Sequence, residues 1–178
     1  MSIATLEYIR PSADQARDLL PGLGALLQAC VQDGASVSFV LPYTQEDAQA
    51  FWRDKVLPSL AAGKASLLVA MQDGRVAGSV QLDCDTPPNQ PHRAEIRKLL
   101  VHPDFRRRGI ARRLMQDAEK LAVELGRSLI TLDTRTGDSA EPLYGSLGYV
   151  TVGVIPGFAR DVRDPSKLDG TTIMYKAV

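Results

Sequence analysis

The sequence predicts an α/β fold with a mixed sheet in one domain, and three observations support this. Apolar residues recur at helical spacing before residue 64, Asp73-Gly74 separates two apolar runs as in a β-hairpin, and strand-like and helical runs alternate thereafter. The chain has 178 residues, a length at which one domain is expected. Such a domain buries roughly 70% of its unfolded surface, so it needs neither a disulfide nor a metal to fold.

The N-terminal segment, residues 1–64, predicts one strand and two helical regions. Leu6 to Arg10 alternates in polarity and is the expected first strand. The helical pattern that follows contains a Pro-Gly pair beginning at Pro21, which should kink or divide the helix. After a loop of small residues, Thr44 predicts the N-cap of a second helix, and Gly63 predicts its end.

The remaining segments, 65–158 and 159–178, predict most of the sheet. The pattern first predicts two strands around Asp73-Gly74, a proline-rich loop over 86–92 and a strand over 93–101. A helix from Ile110 to Gly126, a strand over 127–134 and a short helix over 138–148 are expected next. Two further strands, over 149–157 and 171–178, are separated by a polar loop from Ala159 to Gly170.

Composition argues against several classes of function. Lys plus Arg and Asp plus Glu number 21 each, so the net charge is zero and gives no overall attraction to nucleic acid or to a membrane surface. Cys30 and Cys84 lack the spacing of a metal site, so no metal is expected. The sequence shows neither a signal peptide nor an apolar run long enough to span a membrane, and a cytoplasmic location is therefore expected.

A basic cluster lies where a predicted strand ends and a predicted helix begins. Arg106, Arg107 and Arg108 precede Gly109, and Arg112 follows. Arginines at a helix start oppose the helix dipole, and most such residues are solvated surface residues. They are better tolerated where an anion lies between them and the free N–H groups of the helix. Gly109 removes a side chain where a phosphate would approach the backbone. The pattern is neither a P-loop nor a Rossmann motif.

Three ordered motifs carry a resemblance to a known family. Arg106 to Ala111 reads R-x-x-G-x-A, which resembles the pyrophosphate-binding signature of the GNAT superfamily of acyl-CoA-dependent N-acyltransferases. The preceding "LLVHP" is similar to the family's L-x-V-x-P, and "AEPLYGSLGY" resembles its A-x-x-L-Y-x-x-L-G-[FY] element. In the N-terminal half, "GASVSFVLPYT" and the Trp-containing helix after it resemble the branch that includes tabtoxin-resistance acetyltransferases.

The resemblance implies a more specific fold. It implies a mostly antiparallel, twisted mixed sheet of about six or seven strands, with helices on both faces and a splayed central strand pair. The single domain 1–178 would then comprise the N-terminal strand and acceptor-side helices (1–64), a cofactor-binding core (65–158), and a loop and last strand (159–178). A homodimer is a further expectation, since dimers are common in families of this kind.

The resemblance also implies acetyl-CoA as co-substrate and the residues that hold it. Backbone N–H groups from Arg107 to Arg112 would bind the pyrophosphate, and the strand ending at Val101 would pair with the pantetheine arm. The expected cofactor-binding residues are Leu99, Leu100, Val101, Arg106, Arg107, Arg108, Gly109, Ile110, Ala111, Arg112 and Ser139. Where many members carry asparagine before the tyrosine helix, this chain has Gly137, a departure that affects the acyl-CoA contacts expected there.

For catalysis, the resemblance implies Tyr144 as the acid that protonates the leaving thiolate, since a phenol and a thiol have comparable pKa values. Glu95, eleven residues before Arg106, is the first candidate for the base. Asp133 is the second, and a chain of water molecules is a third. The alternatives are that Tyr144 is only a half-buried helix residue and that Glu95 only pairs with a neighbouring arginine.

The leading hypothesis is an N-acetyltransferase that acts on a small amine such as an amino acid, a peptide or a toxin-like compound. The first rival is a non-catalytic acyl-CoA sensor or scaffold on the same fold. The second is a nucleic-acid-binding module built on the arginines, which the zero net charge and the lack of stacking aromatic residues disfavour.

Overall fold

A computed structural model describes residues 5–178. Its centre is one seven-stranded sheet in the order β1-β2-β3-β4-β5-β7-β6. The strands are β1 (Leu6–Ile9), β2 (Ala65–Gln72), β3 (Arg75–Asp83), β4 (Arg93–Val101), β5 (Leu129–Arg135), β6 (Val150–Arg160) and β7 (Leu168–Ala177). Neighbouring strands are antiparallel except for β4 and β5, which are parallel. The predicted mixed, mostly antiparallel sheet is confirmed.

Helices cover both faces of this sheet, as predicted. They are α1 (Ala13–Asp18), α2 (Leu20–Gln32), α3 (Gln45–Phe51), α4 (Leu57–Ala61), α5 (Ile110–Glu124) and α6 (Ala140–Ser146). A π-helical segment, Trp52–Val56, joins α3 to α4, and a 3₁₀ turn, Pro103–Phe105, precedes α5. One apolar core lies between the sheet and α5 with α6, and a second lies between the sheet and α1–α4.

The central strand pair opens because its pairing stops early. β4 and β5 are in register only from Arg93 opposite Leu129 to Glu95 opposite Thr131, although both strands continue. On its other side β4 carries a bulge at which Lys98 and Leu99 lie opposite the single residue Val80. A bulge bends a strand and increases its twist. The bend accompanies the divergence of β4 from β5, so the predicted splayed pair is confirmed.

One predicted break is confirmed and one predicted loop differs from the structure. The helical region divides where the Pro-Gly pair predicted it, since α1 ends at Asp18 and α2 begins at Leu20. Pro21 lies in the first turn of α2, a position where its missing N–H is tolerated. The prediction of a loop from Ala159 to Gly170 is wrong at both ends, because β6 runs to Arg160 and β7 begins at Leu168. The turn that joins these strands reaches the second core through the buried Val162. The strand residues on either side of it are mostly exposed, so they lack the apolar alternation by which a strand is recognised.

Candidate functional site

A cleft of about 1030 Å³ opens where β4 and β5 diverge. Its walls are the two strands, the start of α5, the start of α6 and the loop after α2. The predicted site residues that line it are Glu95, Leu99, Leu100, Val101, Arg106, Arg107, Gly109, Ile110, Ala111, Arg112, Asp133, Ser139 and Tyr144. Arg108 is the one predicted site residue outside this lining. The fold therefore gathers residues from four separate parts of the sequence.

The turn before α5 presents a free helix N-terminus to the cleft. The first intrahelical bond runs from the Arg113 N–H to the Gly109 carbonyl, so the N–H groups of Ile110, Ala111 and Arg112 have no partner inside the helix. Gly109 has φ +77° and is the N-cap residue. A Cβ placed on it would meet no atom of the described residues within 4 Å. The position thus requires a left-handed backbone and leaves open space in front of three unpaired amides.

The arginine side chains of the cluster point in different directions. Arg106 forms an ion pair with Asp33 at the end of α2. Arg112 donates to the Ser146 hydroxyl at 2.8 Å and stays in the cleft wall. Arg108 points away from the cleft, since it donates to Gln72 Oε1 at 3.1 Å and to the Asp104 carbonyl at 3.2 Å. The Arg108 side chain therefore supports the turn, and only its backbone can contribute to an anion site.

Tyr144 lies on α6 with its ring in the core and borders the cleft. The side chain is 5% exposed, and its ring packs 5.8 Å from that of Tyr149. Burial raises the pKa of Tyr144 above its ordinary value, and the carboxylates of Asp133 and Asp138 raise it further. The phenol is therefore protonated throughout the physiological pH range.

Glu95 and Asp133 occupy the cleft side of β4 and β5 with different partners. Both oxygens of Glu95 accept from the Arg97 guanidinium, at 3.1 and 3.3 Å, and Arg93 lies 3.7 Å away. Asp133 accepts one hydrogen bond, from the Thr171 hydroxyl at 2.9 Å. Glu95 is thus held by arginines, as the alternative interpretation of this residue expected, whereas one oxygen of Asp133 has no hydrogen-bond partner among residues 5–178.

The loop before α6 shows how Gly137 is accommodated. Gly137 has φ +81°, in the left-handed region that glycine and asparagine tolerate best. Its N–H donates to Glu141 Oε2 at 2.8 Å, which fixes the entry to the helix. Ser139, the N-cap of α6, is exposed, and its hydroxyl donates to Asp138 Oδ1 at 3.3 Å. Glycine therefore preserves the backbone geometry here without a side-chain amide.

Sequence reasoning missed Lys98, which lies at the β4 bulge with φ +49°. Its ammonium donates to the Ser38 hydroxyl at 3.0 Å and lies 5.4 Å from the ring centroids of Phe39 and Phe51. A signal was present. Apolar residues alternate at Ala94 and Ile96, but Lys98 is polar and the three residues from Leu99 to Val101 are all apolar. Such a break in the alternation is typical of a bulge.

Among residues 5–178 no group of three or more His, Cys, Asp or Glu side chains is arranged to hold a metal ion. None of the helices in this range is long and apolar enough to cross a membrane.

Comparison with known proteins identifies the family of this chain. The sequence model of the acetyltransferase (GNAT) family matches residues 28–149, which include the turn before α5 and the tyrosine helix. The chain belongs to the GNAT acetyltransferase family. A relative within it, an uncharacterised N-acetyltransferase from Methanocaldococcus jannaschii, is 31% identical over 124 residues, covering 68% of this chain and 54% of the relative.

Two further similarities extend this result. An acetyltransferase from Pectobacterium atrosepticum is 38% identical over 98 residues, covering 54% of this chain and 66% of the relative. The chain therefore aligns with about half to two thirds of these curated GNAT relatives. A Salmonella typhimurium structure solved with its cofactor acetyl-CoA has the same fold, with a TM-score of 0.75 at 15% identity, covering 97% of this chain and 93% of that one.

Proposed function

We propose that this GNAT protein transfers the acetyl group of acetyl-CoA to a primary amine of a small molecule. One observation carries the proposal: the cleft joins the unpaired amides at the start of α5, the open slot between β4 and β5, and the buried phenol of Tyr144. The first feature suits a phosphate group, the second an extended acyl chain, and the third a leaving group that needs a proton.

The chain would hold acetyl-CoA mainly through its backbone. The unpaired amides from Ile110 to Arg112 would bind the pyrophosphate, with the arginine side chains of the cleft wall assisting. Beyond Glu95 the β5-facing edge of β4 has no strand partner, so the backbone of Leu99 to Val101 can pair with the polar groups of the pantetheine arm. Amides at Leu100 and Val101 could also stabilise negative charge on the carbonyl oxygen.

When bound, acetyl-CoA supplies the acetyl group as a thioester, whose C–S bond breaks as the amine forms a C–N bond. Tyr144 would donate its phenolic proton to the departing sulfur. Its raised pKa keeps that proton available. We favour Asp133 as the base that accepts the proton of the amine. Its free oxygen faces the slot, and its negative charge contributes to the raised pKa of Tyr144. Glu95, engaged by Arg97, would then orient the β4 wall.

This choice of base predicts unequal effects of two isosteric substitutions. We expect Asp133→Asn to lower kcat/KM by about 100-fold, within the range typical of general acid–base groups. Glu95→Gln should lower it by less than tenfold. Steady-state kinetics of the wild type and both variants on one amine measure these effects. A larger loss of kcat/KM in Glu95→Gln than in Asp133→Asn would instead identify Glu95, the first candidate from the sequence, as the base.

The proposed activity has a direct test. Calorimetry should show acetyl-CoA binding in the micromolar range, and a thiol-release assay over a panel of amino acids, dipeptides and polyamines should show turnover with at least one amine. Tight binding without turnover of any amine would favour the sensor alternative. Absence of acetyl-CoA binding at millimolar concentration would refute the proposal. The resemblance of the N-terminal half to tabtoxin-resistance acetyltransferases makes amino-acid-like amines the first to screen.

We also propose that the GNAT chain forms a homodimer through β6. This strand forms one edge of the sheet, and no charged residue interrupts it from Val150 to Phe158. Exposed edges of this kind usually carry charges that prevent pairing. Six large apolar residues of the ribbon are 46 to 66% exposed: Val150, Val152, Val154, Ile155, Phe158 and Leu168. An uncharged apolar strand is complementary to its own copy about a two-fold axis.

A charge placed on this edge should separate the subunits. Light scattering after gel filtration is expected to show a dimer for the wild type at micromolar concentration and a monomer for Val152→Glu. Val123→Glu is the control, because Val123 is 56% exposed on α5 and lies away from the ribbon. A wild-type monomer, or dissociation by both substitutions, would contradict the proposed interface.

A further inference from the structure

We infer that Lys98 forms a subsite for a carboxylate group of the acceptor, so that the acceptor is an amino acid or another amine bearing a carboxylate. The inference rests on the proposed function, since it names the substrate class of that same cleft. It is carried by the position of the ammonium group, by the lack of a counter-ion around it, and by the acidic residue across the slot.

The bulge directs Lys98 to the face of the sheet opposite α5. Ala94 and Ile96 point into the core beneath α5, so Glu95 and Arg97 point to the other face. Lys98 is the extra residue of the bulge and contacts Ser38 and two aromatic rings on this second face. Its left-handed backbone is unfavourable for a residue with a Cβ. That cost is sustained by the ladder to β3 on both sides of the bulge.

Lys98 is a half-buried cation without an acid partner among the described residues. Across residues 5–178 no carboxylate lies within 4.0 Å of its ammonium, whose one hydrogen bond is to Ser38. Three other cations of the cleft do pair with acids, since Arg97 pairs with Glu95, Arg106 with Asp33, and Arg135 with Asp138. The cleft arginines without an acid partner among residues 5–178, Arg107 and Arg112, lie at the proposed pyrophosphate site. A charge removed from water without a counter-ion is costly. A ligand carboxylate would supply that counter-ion.

The opposite edge of the slot completes a zwitterion-binding arrangement. Asp133 lies on β5, on the same face of the sheet as Lys98, and the two charges influence each other without contact. An α-amino acid carries an ammonium and a carboxylate on one carbon. With its nitrogen toward Asp133 and its carboxylate toward Lys98, the acceptor would place the nitrogen at the slot where β4 and β5 diverge.

The charge of Lys98 should also depend on pH. Burial and the neighbouring Arg97 lower the pKa of Lys98 to about 8, while Asp133 across the slot opposes this shift. The groups that contact Lys98 from the loop after α2 and from α3, namely Ser38, Phe39 and Phe51, carry no charge. Affinity for a carboxylate should therefore be present below pH 8 and decline above it as the ammonium loses its proton.

The test compares each α-amino acid with its own carboxamide in the wild type, Lys98→Met and Lys98→Arg. We expect Lys98→Met to lower kcat/KM about 30-fold for the amino acids, mainly through KM, and less than threefold for the carboxamides. Lys98→Arg should recover most of the loss and should remove the decline above pH 8. Because each comparison is between variants on one substrate, the different basicity of the two amines cancels.

Two measurements separate this inference from a structural role and from the proposed function itself. Calorimetry with acetyl-CoA and thermal unfolding should give values for Lys98→Met close to those of Lys120→Met, a control at an exposed lysine on α5. Equal losses of kcat/KM on the amino acids and their carboxamides would show that Lys98 only holds the loop containing Ser38 in place, and would overturn the subsite. Turnover confined to amines without a carboxylate would overturn the subsite alone, and no turnover of any amine would overturn both.

Discussion

A Gly109→Asp variant is expected to bind acetyl-CoA about 100-fold more weakly than the wild type. Gly109 leaves open space before the three unpaired amides that start α5. An aspartate side chain there would occupy the phosphate position and add a like charge. Losing charge-assisted hydrogen bonds worth about 1.5–3 kcal/mol corresponds to roughly a 10- to 150-fold loss of affinity. Calorimetric titration with acetyl-CoA measures it directly.

The same helix provides a matched control. Gly126 follows the C-terminus of α5 with φ +71°, and a Cβ on it would also meet no atom within 4 Å. Gly126→Asp therefore imposes similar backbone strain outside the cleft, and its affinity should stay within about twofold of the wild type. Gly109→Asn separates the effect of side-chain volume from that of negative charge, because asparagine has nearly the same volume as aspartate, carries no charge and tolerates the left-handed region. Equal losses in Gly109→Asp and Gly126→Asp would show that strain alone is responsible.

A Tyr144→Phe variant is expected to lose kcat by 100-fold or more while its affinity for acetyl-CoA changes little. Loss of a general acid typically costs about 100- to 10,000-fold. Since the pKa of Tyr144 is raised, its hydroxyl keeps its proton up to at least pH 10, and the wild type should show no loss of this acid below that pH. Single-turnover thiol release across pH 6 to 10 tests both statements.

Tyr149→Phe removes the same atom from the adjacent ring. Tyr149 is also buried and its pKa is also raised, but it does not line the cleft. We expect its kcat to remain within threefold of the wild type. If Tyr144→Phe and Tyr149→Phe behave alike, Tyr144 is a packing residue and water or another group protonates the thiolate.

Local patterns were sufficient for much of the fold. Asp73-Gly74 turns the β2–β3 hairpin, Thr44 caps α3, and the apolar spacing from Ile110 gives α5. Each of these signals acts within a few residues through hydrogen bonding or periodic burial, so a linear sequence displays it. The β6–β7 ribbon was misjudged near Ala159 because an exposed strand is stabilised by partner hydrogen bonds, and these leave no apolar pattern to recognise.

The sequence by itself determined the family, the glycine turn before α5 and the tyrosine that accompanies it, because these depend on short motifs and on backbone conformations that few residues adopt. Only the tertiary structure decided which side chains share the cleft. It directed the Arg108 side chain away from the cleft, engaged Glu95 with Arg97, and placed Lys98 in the cleft without an acid partner. The physical reason is that the direction of a side chain at a bulge, and the counter-ion it meets, depend on strands distant in sequence.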